Sequence, residues 1–287
     1  MSQKQRVGGV VVKTLYKLYQ LFGYKFVYYS LYLVVLYYFL FARDVRSALK
    51  IYYKKIGIKF SNKIFFKHLF EYAIATSDRF ISKSDPQLYT IENKHRKTLL
   101  QEINNGSILL LNHFGGWATA INYFNYRDTK LHIVMNEAMI KSAKEFEDII
   151  QKKNNESVNI IDLSNGFLTS YITIANALLD NESVGLMGDR AIDPKHNSLI
   201  DFFGEKASFN KNPFRISYTT KKPIIVIFVV YVEPLKYIEY FYKIELDSTL
   251  KQEEAIEKSM QQYVEYLSGI LIKHPTQWFN FYNFWKK

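Results

Sequence analysis

The sequence predicts an α/β protein with a mostly parallel central sheet flanked by helices, preceded by a membrane-associating helical N-terminus. From about residue 107 onward, short apolar runs alternate with helical patterns, which is typical of βα units. Basic and tyrosine residues concentrate before that region. We therefore expect a basic, Tyr-rich anchoring segment at 1–67 and an α/β domain at 68–287.

Charge is divided very unevenly along the chain. Of the formal +11, residues 1–67 contribute 13 Lys/Arg against the single acid Asp44, while the remaining 220 residues carry 25 Lys/Arg and 26 Asp/Glu. Because the basic excess coincides with an apolar, Tyr-rich stretch, and no RNP-like motif or finger is found, nucleic acid is not an expected partner. The absence of cysteine excludes disulfides, thiolate metal sites and a cysteine nucleophile.

The first predicted element is a membrane-anchoring helix. Residues 26–42 contain no charge over 17 positions and are flanked by basic residues. As a helix they would rise about 25 Å, slightly less than a hydrocarbon core of about 30 Å. Tyrosines prefer the headgroup level, so the segment is either a short tilted span or an interfacial helix. The alternative is a Tyr-rich core helix of a soluble bundle.

Lysines between residues 54 and 67 alternate with apolar residues. Such a face suits anionic headgroups at a membrane surface, and it could equally receive an acidic protein partner.

The remaining elements follow from local patterns. Apolar runs predict buried strands, amphipathic runs predict helices, and a strongly β-branched run predicts a central strand with an alternating strand beside it. The predicted strands are 107–111, 131–135, 158–163, 184–187, 223–232 and 237–246, and the predicted helices are 65–80, 117–124, 137–151, 167–179 and 252–273.

One loop after a predicted strand has the composition of a catalytic site. His113 follows the apolar run 108–111, and Gly115 and Gly116 then lead into a helix beginning at Trp117. Ligands of open α/β sheets bind beyond the carboxyl ends of strands, and helix N-terminal amides stabilise oxyanions. A histidine there is suited to remove a proton from an attacking group. On spacing alone, a loop histidine satisfied by its neighbours is the slightly favoured interpretation.

Four sequence blocks extend this pattern over most of the chain. They read ILLLNHFGGW at 108–117, GLMGDR at 185–190, IDFFGEKASF with NPFRI at 200–209 and 212–216, and PTQWFNFYNFW at 275–285. In order and composition they resemble the lipid A biosynthesis acyltransferase-like branch of the lysophospholipid and glycerophospholipid acyltransferase superfamily.

The resemblance implies acyl transfer from a thioester donor, acyl carrier protein or acyl-CoA, to a hydroxyl or amine of a membrane lipid or glycolipid acceptor. His113 would act as general base, with the amides of Gly115, Gly116 and Trp117 stabilising the oxyanion. No metal or other cofactor is implied. The expected location is the bacterial inner membrane, with the catalytic domain on its cytoplasmic side.

The sequence departs from the family pattern at the position five residues after the histidine. Family members have an acid there that orients the imidazole, whereas this chain has Ala118. Three interpretations of this departure are open. Another acid, with Asp189 as the first candidate, could approach His113 in space, or a backbone carbonyl group could hold the ring. Alternatively, the protein is a catalytically silent lipid-binding or scaffold protein on the same fold. Loss of an orienting acid can cost about 10⁴-fold in rate.

Basic residues near the same blocks are candidates for substrate binding. Arg190, Lys211 and Arg215 could contact phosphates of the donor or acceptor. For Asp189 with Arg190, the structural alternative is an ion pair that caps a loop. We expect the aromatic cluster at 278–285 to close the domain by packing.

Overall fold

The computed structural model describes residues 9–124, 130–135, 158–190 and 194–285. Within these ranges there are eight α-helices and nine strands. The helices are α1 (Gly9–Phe41), α2 (Arg43–Lys55), α3 (Asn62–Ser84), α4 (Arg96–Asn104), α5 (Trp117–Phe124), α6 (Phe167–Leu179), α7 (Asn212–Thr220) and α8 (Gln252–Lys273). The strands are β1 (Thr90–Glu92), β2 (Ile108–Leu111), β3 (Leu131–Met135), β4 (Val158–Asp162), β5 (Ser183–Met187), β6 (Asn197–Phe202), β7 (Glu205–Asn210), β8 (Ile224–Glu233) and β9 (Lys236–Ile244).

Seven of these strands form one mixed, mostly parallel sheet. Their order is β1-β9-β8-β2-β5-β3-β4, and the five strands from β8 to β4 run in one direction. Strand β9 pairs antiparallel with β8, and β1 pairs parallel with β9. The predicted fold class is confirmed. The two remaining strands, β6 and β7, form a separate antiparallel hairpin.

The central strands explain why the sheet was recognisable in the sequence. All four residues of β2 are buried, and so are the first seven of β8, as expected for strands covered on both faces. The predicted helix 137–151 lies outside the described residues. The β6–β7 hairpin, β1 and α4 were not predicted. The hairpin turns at Phe203 (φ 51°) and Gly204 (φ 80°), and Phe is an uncommon residue at a positive φ.

The N-terminal helices are less separate from the sheet than the sequence indicated. The expected boundary at residue 67 falls inside α3. Leu49 and Tyr53 of α2 and Phe65 of α3 are fully buried and belong to the same hydrophobic core as strands β2 and β8. Apolar side chains from residues 43–67 therefore contribute to the core of the α/β domain, and the division at residue 67 stays a prediction.

Helix α1 remains as the distinctive N-terminal element. Its residues 14–41 are long and apolar enough to cross a membrane, and only a small part of the segment is buried within the protein. Gly23 interrupts the helix with a non-helical backbone (φ 75°, ψ 178°). This helix weakly indicates membrane association.

Candidate active site

The loop after β2 is fixed by two close approaches of its backbone. At Gly115 (φ +55°) a Cβ atom would lie 1.8 Å from the carbonyl oxygen of Val229, and at Gly116 it would lie 2.3 Å from the ring of Tyr237. Both positions therefore require glycine for steric reasons. The consequence is a sharp turn that leaves His113 beyond the carboxyl end of β2, with its side chain 33% exposed.

Asp189 lies beside His113, although 76 positions separate them in the sequence. Strands β2 and β5 are parallel neighbours whose last residues, Leu111 and Met187, are in register. Each site residue follows its strand by two positions, so the two meet at the same edge of the sheet. The Nδ1 atom of His113 lies 2.9 Å from Oδ1 of Asp189, and the His113 amide donates to Oδ2 at 3.1 Å.

The Asp189 carboxylate is fully buried and accepts further hydrogen bonds. Trp278 Nε1 donates to Oδ2 at 3.2 Å, and Asn280 Nδ2 donates to the same oxygen at 3.0 Å. Burial alone would raise the pKa of Asp189. The field and hydrogen bond of His113, the charge of Arg190 and the Asn280 amide outweigh burial, so the pKa lies well below its usual range. The group is an anion at neutral pH.

The C-terminal segment, residues 275–285, contributes both to this site and to the packing of the domain core. Trp278 is almost completely buried, as the expected packing role requires. The Phe279 amide also donates to the His113 carbonyl oxygen at 2.7 Å. Sequence reasoning missed the contacts of Trp278 and Asn280 with Asp189. The available signal was the presence of two polar residues, Asn280 and Asn283, in a run whose other residues from 278 to 285 are aromatic.

A buried histidine on α3, His68, contacts the backbone of this C-terminal segment. His68 Nε2 lies 3.0 Å from the Trp278 carbonyl oxygen, and its Nδ1 lies 2.8 Å from the Tyr53 hydroxyl. Burial lowers the pKa of His68 to about 3, although the Trp278 hydrogen bond opposes that shift. The ring is therefore neutral. Nε2–H donates to the carbonyl, and Nδ1 accepts from the tyrosine.

The three amides expected to bind an oxyanion have different surroundings. Gly115 donates its N–H to the Gln277 carbonyl oxygen at 2.9 Å, and Gly116 donates to the Val229 carbonyl oxygen at 2.9 Å. Both glycine amides are therefore engaged in hydrogen bonds within the protein. Trp117 is the first residue of α5, where amides point away from the helix along its axis.

The three residues expected to bind phosphate lie at different places relative to the His113–Asp189 pair. Arg190 donates to the Phe279 carbonyl oxygen at 2.9 Å and to Asn280 Oδ1 at 2.5 Å, which ties it to the C-terminal segment beside Asp189. Lys211 pairs with Glu253 at the start of α8. The charge of Arg215, one turn further along α7, contributes to lowering the pKa of the same Glu253, after the larger effect of Lys211. Of the three, the described contacts bring only Arg190 together with the His113–Asp189 pair.

Nothing in the described ranges groups three His, Asp or Glu side chains in a way that could hold a metal ion. The chemistry that the site offers is that of an imidazole held against a carboxylate, next to a helix N-terminus.

The fold and site together define a class of protein: an α/β protein with a histidine–carboxylate pair at the carboxyl ends of its central parallel strands. The family described as bacterial lipid A biosynthesis acyltransferase matches residues 60–287. The chain belongs to this family, which implies acyltransferase activity in lipid biosynthesis, with a lipid acceptor and an acyl donor. A search among curated proteins gave no match.

Proposed function

We propose that the protein is a membrane-associated acyltransferase that moves a fatty acyl group from a thioester, carried by acyl carrier protein or CoA, to a hydroxyl or amine of a lipid or glycolipid acceptor. His113 is the general base. The observation that carries the proposal is the 2.9 Å contact between His113 Nδ1 and the buried carboxylate of Asp189. It supplies an orienting acid although Ala118 occupies the usual position.

The contact with Asp189 selects the tautomer of His113. An ionised carboxylate only accepts hydrogen bonds, so the proton of the neutral imidazole resides on Nδ1. The lone pair is then on Nε2, and the side chain as a whole is partly exposed. This is the arrangement that a general base needs, and the carboxylate also stabilises the imidazolium that forms during the reaction.

The reaction then proceeds in two proton transfers. As the acceptor oxygen forms its bond to the thioester carbonyl carbon, its proton passes to Nε2 of His113. The carbonyl π electrons move to oxygen and form a tetrahedral oxyanion. When the oxyanion collapses, the C–S bond breaks and the leaving sulfur takes the proton from Nε2. The products are the acylated lipid and a free thiol, and the imidazole returns to its starting state.

We assign oxyanion stabilisation to the N-terminus of α5 rather than to the glycine loop. The Gly115 and Gly116 amides are engaged with carbonyl groups, whereas the Trp117 amide begins the helix. Preorganised amides at a helix start stabilise developing negative charge. Arg190 then holds the Phe279 carbonyl group and the Asn280 side chain in place. Because Asn280 donates to Asp189, these contacts also fix the position of the carboxylate.

We further propose that the enzyme acts on the cytoplasmic side of the bacterial inner membrane. The exposed apolar face of α1 and the basic excess of residues 1–67 support a membrane surface as partner. The same basic residues could dock an acidic acyl carrier protein. A catalytically silent lipid-binding protein is not favoured, because membership of an acyltransferase family and the His113–Asp189 pair both argue for catalysis.

The test is an acyl-transfer assay on the full chain in vesicles that contain bacterial membrane lipids. Acyl carrier protein and CoA loaded with a radiolabelled acyl group serve as alternative donors. Free thiol and labelled lipid are measured in parallel. The chain contains no cysteine, so the enzyme adds no thiol background. We expect equal amounts of thiol and labelled lipid from the native chain and almost none from His113→Ala.

A matched control is His95→Ala, which removes an exposed histidine just before α4. It should retain native activity. Equal activity in the native chain and His113→Ala would overturn the role of His113. Failure of both donors with every lipid fraction would overturn the enzymatic proposal itself.

A further inference from the structure

We propose that α1 does not cross the bilayer but lies in its plane, with one face against α3 and the other in a single leaflet. This inference rests on the proposed membrane association and specifies its geometry. Length and composition leave both arrangements open, since residues 14–41 could cross a membrane. The contacts of the helix favour the in-plane arrangement.

The inner face of α1 is paired with α3 along most of its length. Tyr19 donates to Asp85 at the end of α3, Tyr28 packs on Phe70 with ring centres 5.4 Å apart, and Phe39 packs on Phe65 at 5.5 Å. Later positions on α1 thus meet earlier positions on α3, as in an antiparallel pair. Three aliphatic residues spaced four apart are buried on this face: Val27, Leu31 and Val35.

Helix α3 cannot accompany α1 into hydrocarbon. Lys63 and Lys67 are exposed on it, so their charged ammonium groups would enter the lipid with the helix. Charged groups within a bilayer are strongly unfavourable. The same helix carries His68, which supports the C-terminal segment at the site. A spanning α1 would therefore have to leave α3 and expose its apolar inner face and the Phe residues of α3.

The outer face of α1 has the character of a surface in contact with lipid. Its large exposed apolar side chains lie between residues 21 and 41: Leu21, Phe22, Phe26, Tyr29, Tyr32, Leu33, Val34, Leu36, Tyr37, Tyr38, Leu40 and Phe41. No charge occurs from residue 26 to 42, whereas Lys25 and Arg43 at the two ends are exposed. A contiguous face of this size is unusual in water, and cations at both ends match anionic headgroups of one leaflet.

The two arrangements make different predictions for depth. Phe26, Leu33 and Leu40 are exposed and seven residues apart, so they share one face over about 21 Å of helix. In the plane of the membrane, all three side chains lie at the same shallow depth. In a span, the middle one lies near the bilayer centre and the outer two near opposite surfaces.

The chain is well suited to this measurement because it has no native cysteine. Single variants Phe26→Cys, Leu33→Cys and Leu40→Cys are labelled with an environment-sensitive fluorophore. They are bound to vesicles of phosphatidylcholine and phosphatidylglycerol in equal amounts. Lipids with nitroxide quenchers near the headgroup or near the chain end report depth. Equal, headgroup-biased quenching at all three positions supports the proposal; preferential deep quenching at residue 33 overturns it.

Sidedness gives an independent readout. Lys25→Cys and Arg43→Cys place exposed thiols at the two ends of the apolar stretch. A membrane-impermeant maleimide added outside the vesicles should label both to the same extent. Labelling of one site only, with the second reacting after detergent is added, would overturn the in-plane arrangement.

Flotation separates failure of this proposal from failure of membrane association. Leu33→Glu changes a side chain that is 73% exposed on the outer face of α1, and Leu199→Glu is the control on β6 at 49% exposure. We expect at least tenfold weaker vesicle binding for the first and native binding for the second. Absence of flotation by the native chain overturns both proposals, whereas flotation with a spanning depth profile overturns only the in-plane one.

Discussion

Replacement of Asp189 by Asn should abolish catalysis while leaving the shape of the site intact. Three N–H donors point at Oδ2 of Asp189: the His113 amide at 3.1 Å, Trp278 Nε1 at 3.2 Å and Asn280 Nδ2 at 3.0 Å. Oδ1 faces one donor, His113 Nδ1. The amide oxygen of the variant must therefore take the Oδ2 position, because an NH₂ group there would oppose three donors.

This orientation directs the new NH₂ group at Nδ1 of His113. Nδ1 must then accept a hydrogen bond, so the imidazole proton moves to Nε2 and the nitrogen that faces the substrate can no longer act as a base. An equivalent change of tautomer in a serine protease triad lowers kcat by about 10⁴-fold. We expect a loss of similar order for Asp189→Asn, mainly in kcat, with KM for the donor little changed.

The assay is thiol release and labelled-lipid formation at saturating donor across pH 5–9. Folding is checked by circular dichroism and the melting temperature. Asp201→Asn is the control, since it neutralises an exposed aspartate paired with Lys206 on the hairpin. Activity of Asp189→Asn within about threefold of native, in a folded protein, would refute the assignment of the orienting acid and the tautomer argument with it.

Four further outcomes are expected. Gly115→Ala places a Cβ 1.8 Å from a β8 carbonyl oxygen and should lower the urea midpoint sharply, whereas Gly269→Ala, with open space around it, should leave the midpoint unchanged or raise it. His68→Phe removes the donor to a C-terminal carbonyl and should destabilise folding by about 1–3 kcal/mol in urea titrations. Ala118→Glu should not raise kcat, since Nδ1 of the His113 imidazole already has a carboxylate partner in Asp189; a tenfold gain in thiol release would contradict this. Burial raises the pKa of Asp78 to about 7. The free energy of unfolding of the native chain should therefore fall by at most about 4 kcal/mol as the pH rises from about 4 to 7. Asp78→Asn should reduce this pH dependence, as measured by denaturation midpoints.

The sign of the Asp78 dependence follows from proton binding. Between about pH 4 and 7 the folded state keeps this carboxyl protonated while the unfolded chain has lost the proton. Raising the pH therefore favours unfolding in that interval, and the effect is complete above the folded pKa. Equal pH slopes for the native chain and the Asn variant would show that other groups account for the dependence.

Most regular elements could be predicted from the sequence because each has a strong local pattern. The apolar runs that became β2 and β8 are buried on both faces, and the helix α8 has acids in its first turn and lysine in its last. The β6–β7 hairpin was missed because Phe203, which adopts a positive φ, stands before Gly204 where a turn of this kind usually has Asn or Asp. Charge composition led to the predicted division at residue 67, but it does not report which apolar side chains before that residue pack into the core.

The candidate site was predictable only in part. His113 stood out because glycines follow it directly, and Asp189 was named because it also follows a strand. Their contact depends on β2 and β5 being neighbours in register, which no local pattern specifies. The same holds for Trp278 and Asn280, which reach Asp189 from about 90 residues away.

The sequence by itself determined the α/β class, the apolar N-terminal helix and the histidine at a strand end, because periodicity, composition and short motifs act over a few residues. Only the tertiary structure decided which acid lies beside His113, that the Gly115 and Gly116 amides are engaged in hydrogen bonds, and which face of α1 is covered by α3. These are contacts between distant segments. The physical reason is that strand order and helix packing, rather than local preference, bring such segments together.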